Sequence, residues 1–186
     1  MWLTSDTHFG HTNIIKYSER PFETVEEMNA ILIQNWNAVV GRRDVVWHLG
    51  DFAYDGRAGV LKYAPQLNGK IHVLIGNHDN PNHLAEAFGS GRVFDTREIK
   101  YQGTRIFLSH YAHRVWPSSH KGSFHAYGHS HGNLDIQYGP WGRSMDVGVD
   151  CHGYGPLHID KFLAYLKDQP VSLHHPDSTW RNPSST

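Results

Sequence analysis

The chain has few of the features that would tie it to an oxidising compartment or a membrane. Cysteine occurs once in 186 residues, at Cys151, which excludes an internal disulfide framework and favours a reducing compartment. No apolar run approaches the roughly 20 residues that a membrane helix needs. Residues 1–6 lack the basic and apolar segments of a signal peptide. We therefore expect a cytoplasmic protein with no membrane partner.

An excess of charge of either sign is also missing. The chain carries 17 Lys and Arg against 18 Asp and Glu, which gives a formal net charge of −1. Extended surfaces for duplex nucleic acid are strongly basic, so we expect no such surface here. The composition, with 39% hydrophobic residues, is that of an ordinary globular protein, and the length suits one domain.

Histidine, in contrast, is abundant, with 16 copies. It is the commonest metal ligand in proteins and titrates near neutral pH. A surplus of surface histidines would give the same count, so the positions of these residues along the chain must decide between the two interpretations.

The first half of the chain alternates short apolar runs with helical patterns. Buried strands are predicted at 1–5, Val45–Leu49 and Ile71–Ile75. Helices are predicted at 24–41, Ala58–Leu67 and Pro81–Phe88, with Thr24 and Glu27 in the form of a capping box. This alternation favours a largely parallel sheet with crossover helices.

The second half has short strand-like runs separated by turn signals such as Gln102-Gly103, which favours antiparallel pairing in a second sheet packed on the first. These runs are Val93–Tyr101, Arg105–Leu108, Phe124–Tyr127 and Met145–Val149. A closing helix is predicted over Leu157–Lys167. We expect a single domain over residues 1–167 and a polar C-terminal tail over residues 168–186.

Five clusters of potential metal ligands follow directly on strand-like runs. They are Asp6-x-His8, Gly50-Asp51, Gly76-Asn77-His78-Asp79, Ser109-His110 and Gly128-His129-x-His131. Sites in layered α/β folds gather in the crevice beyond the carboxyl ends of the strands, so the five clusters can converge in space.

The residue types indicate the kind of metal. Mixed carboxylate, amide and imidazole donors suit borderline divalent cations such as Mn, Fe or Zn better than Ca or Mg. No cysteine lies among the candidates, which argues against a structural zinc finger. Asp51 ends a buried strand and has two carboxylate oxygens, so we expect it to bridge two cations.

The ordered series D-x-H, G-D, G-N-H-D, H and G-H-x-H, over residues 6–131, resembles the calcineurin-like metallophosphoesterases. The resemblance implies an α/β fold of two facing mixed β-sheets flanked by helices, a four-layer sandwich. It implies a first metal site at Asp6, His8, Asp51 and His131, and a second at Asp51, Asn77, His110 and His129. His78 matches the histidine near the leaving group, and Asp79 matches the acidic residue that orients it. The sequence departs from the pattern at Ser109, where many members have glycine.

The resemblance implies hydrolysis of a phosphodiester or phosphomonoester by direct attack of a hydroxide bridging two metal ions of the Mn, Fe, Zn or Ni type. Aromatic residues near the last loops slightly favour a phosphodiesterase, with a nucleotide as one candidate substrate. The alternatives are a phosphoprotein phosphatase and a protein-binding scaffold of the same fold without turnover. The sequence does not predict an oligomeric state.

Two further residues are candidates for substrate contacts. Arg114 could bind a phosphate through its guanidinium, although a surface arginine over an aromatic ring is equally compatible with its setting. His11 could touch substrate, and a solvated loop histidine is the alternative. Asp146 and Asp150 are expected to fix the last strand and its loop and not to bind metal.

Overall fold

In a computed structural model of the protein, which describes residues 1–139 and 141–171, the chain forms two β-sheets and six α-helices. The strands are β1 (Trp2–Thr4), β2 (Val45–His48), β3 (Lys70–Leu74), β4 (Val93–Phe94), β5 (Thr96–Tyr101), β6 (Thr104–Ser109), β7 (Phe124–Tyr127), β8 (Ser144–Asp146) and β9 (Leu157–His158). The helices are α1 (Ile14–Tyr17), α2 (Val25–Val39), α3 (Gly56–Tyr63), α4 (Pro81–Phe88), α5 (Asn133–Tyr138) and α6 (Ile159–Lys167).

The first sheet has the strand order β4-β3-β2-β1-β9. Strands β1 to β4 pair in parallel, and β9 pairs antiparallel to β1. Helices α2, α3 and α4 connect the four parallel strands, as crossover connections between parallel neighbours require. The predicted parallel sheet of the first half is thereby confirmed.

The second sheet has the strand order β5-β6-β7-β8. Strands β5 and β6 form a hairpin whose turn residues, Gln102 and Gly103, both have positive φ, which matches the twist of the flanking strands. Strands β6, β7 and β8 pair in parallel, so the expectation of antiparallel pairing was wrong for them. The long connections 110–123 and 128–143 return the chain to the start of the sheet before each new strand.

Three predicted elements are divided differently in the structure. The run Val93–Tyr101 breaks at Asp95, where the chain leaves the first sheet and enters the second. The predicted closing helix begins at Ile159, because the two residues before it form β9. Strand β8 ends at Asp146, and α5 was not predicted. In the three divided elements, the strand-like or helical pattern of the sequence continues across a change of element.

Two apolar clusters hold the layers together. In the first, Leu32 and Trp36 of α2 and residues of α3 and α4 pack on Val46 and Val73 of the first sheet. The second joins the two sheets: Leu3 and Trp47 of the first sheet pack with the second sheet and with α6. Two facing mixed sheets flanked by helices are the expected fold, which is thus confirmed.

Helix α6 ends at Lys167, the residue at which we expected the domain to end. Most of the predicted tail, residues 172–186, lies outside the described residues. Among the described residues, no helix has the length and apolarity needed to cross a membrane.

Candidate metal centre

The five predicted clusters lie at the carboxyl ends of β1, β2, β3, β6 and β7, and they converge where the two sheets meet. The ligand atoms form two groups, and within each group all atoms lie within 4.8 Å of one another. The first group is Asp6, His8 and His131, and the second is Asp51, His110 and His129. The structure therefore brings together side chains that are far apart in the sequence.

The backbone at these positions is strained. Nine described non-glycine residues have positive φ, and five of them are predicted ligands: Asp6 (57°), His8 (49°), Asp51 (57°), His129 (68°) and His131 (49°). Side chains avoid this region because Cβ crowds the carbonyl oxygen. Strain of this kind persists where the surroundings enforce it, and it concentrates at functional sites.

The glycines of three motifs are required by close packing. A Cβ at Gly50 would lie 2.6 Å from Nδ1 of His110, and one at Gly76 would overlap the Asp51 carboxylate and amide. A Cβ at Gly128 would overlap the side chain of Ser5 and lie 2.5 Å from Oδ2 of Asp6. The absence of side chains at these glycines lets the ligand-bearing loops approach one another.

Asp51 occupies the position between the two groups. Its Oδ2 atom lies 3.5 Å from Nε2 of His8, in the first group, and 3.5 Å from Nε2 of His110, in the second. Its Oδ1 atom accepts a hydrogen bond of 2.9 Å from the backbone amide of His78, which fixes the carboxylate. Asp51 is buried, so a carboxylate oxygen is held between two imidazoles with little exposure to solvent.

The first group leaves two buried polar atoms without hydrogen bonds. Oδ2 of Asp6 accepts from the His129 amide at 2.9 Å, whereas Oδ1 of Asp6 and Nε2 of His8 have no hydrogen-bond partner among the described residues. Burial raises the pKa of Asp6 well above its usual range and lowers that of His8. Unpaired buried polar atoms are costly, and a divalent cation would satisfy both. The donors present therefore fit a metal ion.

A hydrogen bond orients the His110 imidazole so that its Nε2 is available. Nδ1 of His110 lies 2.8 Å from the Leu49 carbonyl, which can only accept, so this nitrogen donates and Nε2 carries no proton. Nε2 of His110 then faces the Asn77 side-chain oxygen at 3.0 Å, and two acceptors at this distance suit a shared cation. Burial lowers the pKa of His110, which keeps the imidazole neutral.

His131 is oriented by a buried ion pair that the sequence did not reveal. Its Nδ1 lies 2.7 Å from Oδ2 of Asp150, and Nε and Nη2 of Arg20 each donate to Asp150 at 2.8 Å. Burial works against both charges, but these hydrogen bonds outweigh it: the pKa of His131 is raised, and that of Asp150 is lowered. Arg20 also donates to the carbonyl oxygens of Asp6 (2.7 Å) and Thr7 (3.1 Å).

Nothing in the spacing of Glu19-Arg20-Pro21 predicts this role for Arg20, since the residue lies outside every ligand motif. Asp150 was expected to fix a loop, and the structure adds a direct contact with a predicted metal ligand. Hydrogen-bonded partners of this kind fix ring orientation and increase ligand basicity.

The two predicted catalytic residues lie in different settings. His78 is exposed, and its ring centroid lies 5.3 Å from that of His8. The Asp79 carboxylate accepts from the backbone amides of Asp51 (2.7 Å), Gly76 (2.9 Å) and Phe52 (3.0 Å). A contact between Asp79 and the His78 imidazole, which the resemblance implied, is not found among the described residues. Asp79 instead fixes the backbone of the two loops that carry Asp51 and Asn77.

A cavity of about 230 Å³ opens over the two groups. It is lined by His8, His11, Asn13, Ile14, Tyr17, Asp51, Tyr54, Asn77, His78, His129 and His131. Of the two predicted substrate contacts, His11 lies in this lining and Arg114 does not. The Arg114 guanidinium instead lies 5.4 Å from the ring centroid of Trp141. This arrangement, an arginine over an aromatic ring, is the alternative to a phosphate contact that the sequence left open.

Comparison with known proteins agrees with the motifs. The model of the calcineurin-like phosphoesterase superfamily domain matches residues 1–142. The chain belongs to this superfamily. An uncharacterized protein of Methanocaldococcus jannaschii is 37% identical over 176 residues, covering 92% of this chain and 93% of that protein. This superfamily consists of metal-dependent phosphoesterases. Membership in it supports the prediction that the protein hydrolyses phosphate esters.

Two further proteins resemble this phosphoesterase more distantly. The gene 66 protein of Mycobacterium phage L5 is 26% identical over 181 residues, covering 82% of this chain and 87% of that protein. The crystal structure of a protein of unknown function from Aquifex aeolicus has a TM-score of 0.69 at 23% identity and covers 89% of this chain and 98% of that chain. This structure shares the fold.

Proposed function

We propose that the protein is a two-metal phosphodiesterase built on a single domain over residues 1–167. The carboxylate of Asp51 carries this proposal, because one of its oxygens lies at 3.5 Å from an imidazole of each ligand group. A carboxylate in that position can hold two cations close together, which a mononuclear site does not need. The buried, unpaired atoms of Asp6 and His8 add support for a metal in the first group.

The residues that would hold the cations are those of the two groups, with Asn77 joining the second. Divalent cations of the Mn, Fe, Zn or Ni type, when bound, would neutralise phosphate charge and make water a stronger nucleophile near neutral pH. The chain itself supplies the positions. The Leu49 carbonyl accepts a hydrogen bond from His110, and Arg20 donates to Asp150, which contacts His131. These contacts hold the ligand side chains in place before substrate arrives.

His78 is the proposed proton donor to the leaving oxygen. Its backbone is fixed to Asp51, while its imidazole is exposed and lines the cavity. A positioned imidazole can protonate a departing oxygen in the transition state. His78→Ala should therefore lose turnover and keep the metals, whereas loss of all bound metal would make His78 a ligand.

An open cavity over the metal groups suits a small substrate or an exposed group on a larger one. The ring of Tyr111 packs 4.6 Å from that of His129, so an aromatic residue of the last loops lies beside the second group. This arrangement supports a phosphate ester with an aromatic substituent, and we infer the diester.

The test is hydrolysis by metal-stripped protein reconstituted separately with Mn, Ni, Zn or Fe, with bis-p-nitrophenyl phosphate and p-nitrophenyl phosphate as substrates. We expect activity with at least one metal and faster turnover of the diester. Faster turnover of the monoester would favour the phosphatase alternative. Absence of hydrolysis with every metal, despite two bound metals per chain, would indicate the scaffold.

Asp51→Asn is the decisive variant, because it keeps the shape of the side chain and removes the charge between the cations. We expect it to lose one or both metals and nearly all activity. Asp95→Asn, which changes an exposed carboxylate between β4 and β5, is the matched control and should behave as wild type. Full activity and two metals in Asp51→Asn would overturn the two-metal proposal.

A further inference from the structure

One wall of the cavity is aromatic. The rings of His11 and Tyr54 are stacked, with centroids 3.9 Å apart and planes within 5°. The ring of Tyr17 stands edge-on to His11 at 6.3 Å. We call these three residues the aromatic wall. Its inner ring, His11, is buried, whereas Tyr54 is 51% exposed and Tyr17 is 74% exposed. Isolated exposed tyrosines are ordinary, but here two converge on one buried ring inside a cavity.

The aromatic wall is fixed to the metal-binding loops. Phe9, next to the ligand His8, forms a β-bridge with Ala53, two residues after the ligand Asp51. The amide of Tyr54 then donates to the Phe9 carbonyl at 2.9 Å. Gly10 permits this contact, since it has φ of +81° and a Cβ there would lie 2.5 Å from the Asp55 carboxylate. The backbone of Tyr54 is therefore held close to the loops that carry His8 and Asp51.

The wall also lies within reach of a phosphate at the metals. The ring of His11 is 5.3 Å from that of His8, and the ring of Tyr54 is 6.1 Å from that of His78, the proposed proton donor. None of the described cavity-lining residues is a lysine or an arginine. Recognition of the anionic group thus falls to the metal centre, and the wall is left to contact an uncharged part of the substrate.

We propose that the aromatic wall binds the base of a nucleotide whose phosphate lies at the metal centre, so that the substrates are nucleotide phosphodiesters. This inference rests on the proposed function and specifies its substrate class. A base offers a flat face to an aromatic side chain, and such stacking tolerates every base. The enzyme should accordingly discriminate strongly for the presence of a base and weakly among bases.

The test is calorimetric binding to Mn-loaded protein of adenosine 5′-monophosphate and of ribose 5-phosphate, which lacks the base. One base stacked on an aromatic side chain predicts a preference on the order of tenfold for the nucleotide. The variant with both Tyr17→Leu and Tyr54→Leu should bring this ratio close to one while it keeps its affinity for ribose 5-phosphate. Tyr54→Phe should retain the preference, because the ring remains.

Tyr165→Leu is the matched control, since Tyr165 is a half-exposed tyrosine on α6, outside the cavity lining. It should leave both affinities unchanged. If the double variant loses metal, the comparison is made with Tyr17→Leu alone and with Tyr54→Phe. Tyr17→Leu should lower the ratio of the two affinities. Equal binding of the two ligands by wild type, or an undiminished ratio in the Leu variants, would overturn the proposal. If phenyl phosphate binds as tightly as the nucleotide, the substrate class would be aryl phosphates and not nucleotides, which would overturn the proposal.

Hydrolysis of bis-p-nitrophenyl phosphate by the same samples separates this proposal from the proposed function. Hydrolysis without a preference for the nucleotide overturns the role of the aromatic wall alone. A preference for the nucleotide without hydrolysis supports the wall as a binding site and contradicts the phosphodiesterase.

Discussion

At the scale of single residues, the contact of Arg20 with Asp150 is the interaction whose loss we expect to matter most outside the ligands. The Arg20 side chain is fully buried, and that of Asp150 is 8% exposed. Removal of one partner of a buried pair leaves an uncompensated charge and typically costs about 3–5 kcal/mol. Arg20→Met should therefore lower the free energy of unfolding by about 3 kcal/mol in urea titrations.

The same variant should weaken metal binding, because Asp150 and the backbone of Asp6 lose a common donor. Loss of partners behind metal ligands typically lowers metal affinity by about 10–100-fold. Arg57→Met is the matched control, since Arg57 forms a similar paired contact with Glu86 on the surface. Its stability and metal affinity should match wild type, because solvent screens exposed ion pairs. Equal effects of the two variants would contradict a special role for Arg20.

His125 should contribute to the pH dependence of stability. Burial lowers its pKa to about 3, from an ordinary value of 6.5. Between these two values the unfolded chain binds a proton that the folded chain does not, so stability falls as the pH falls through this window. One proton corresponds to about 1.4 kcal/mol per pH unit.

His125→Gln keeps one donor for the Phe107 carbonyl and one acceptor for the His113 amide, and it cannot titrate. Its free energy of unfolding should fall less steeply than that of wild type between pH 6 and pH 5, by about 1 kcal/mol per unit. Between pH 7.5 and pH 8.5 the two slopes should agree, which provides the internal control. Identical slopes in the acid range would mean that the buried ring is protonated in the folded protein.

At the scale of elements, the loop after β7 depends on a glycine for a reason of packing. Gly128 has no positive φ, yet a Cβ there would overlap Ser5 and crowd Asp6. Gly128→Ala should displace the loop, reduce metal content and lower activity by at least about tenfold, comparable to the loss of partners around metal ligands. Metal analysis and hydrolysis rates check this. Gly91→Ala, where a Cβ would meet nothing within 4 Å, should be neutral.

The elements also show what the sequence could predict. Residues close together in the sequence were sufficient to predict two helices. At the start of α2, Thr24 accepts a hydrogen bond from the Glu27 amide at 3.1 Å, as the capping box predicts, and α4 spans the predicted Pro81–Phe88. Sheet membership was not predictable in this way. The run 93–101 has the pattern of one strand, but strand periodicity does not indicate that the chain changes sheets at Asp95.

The same distinction applies to the site. The convergence of the candidate ligands was predictable because each follows a strand end and carries a donor side chain. Arg20 was not, because its role depends on a long-range contact with Asp150, 130 positions away in the chain. Asp79 contacts backbone amides and not the His78 imidazole. These contacts likewise depend on how two loops pack against each other, which the sequence does not indicate.

At the scale of the whole molecule, the candidate metal centre lies between the two sheets. Asp6, His8, Asp51 and Asn77 follow strands of the first sheet, and His110, His129 and His131 follow strands of the second. Each ligand group contains residues from both sheets. Bound cations should therefore stabilise the packing of one sheet on the other, in addition to their role in chemistry.

Metal removal should accordingly lower the melting temperature. One site loaded at 100 times its Kd stabilises the folded state by about 2.7 kcal/mol, and for a chain of this size each kcal/mol shifts Tm by about 2–4 °C. We expect chelator-treated protein to melt about 5–10 °C below reloaded protein in calorimetry. Asp51→Asn should show a smaller shift, because it binds fewer metals.

Hydrogen exchange would show whether this stabilisation reaches both sheets. Added metal should slow exchange of amides in β1 and β2 of the first sheet and in β6 and β7 of the second, because ligands follow all four strands. Strands β5 and β9, whose ends carry none of the predicted ligands, provide the internal control. Slower exchange confined to one sheet would mean that its loops alone hold the metal, and the joint role of the centre would then be wrong.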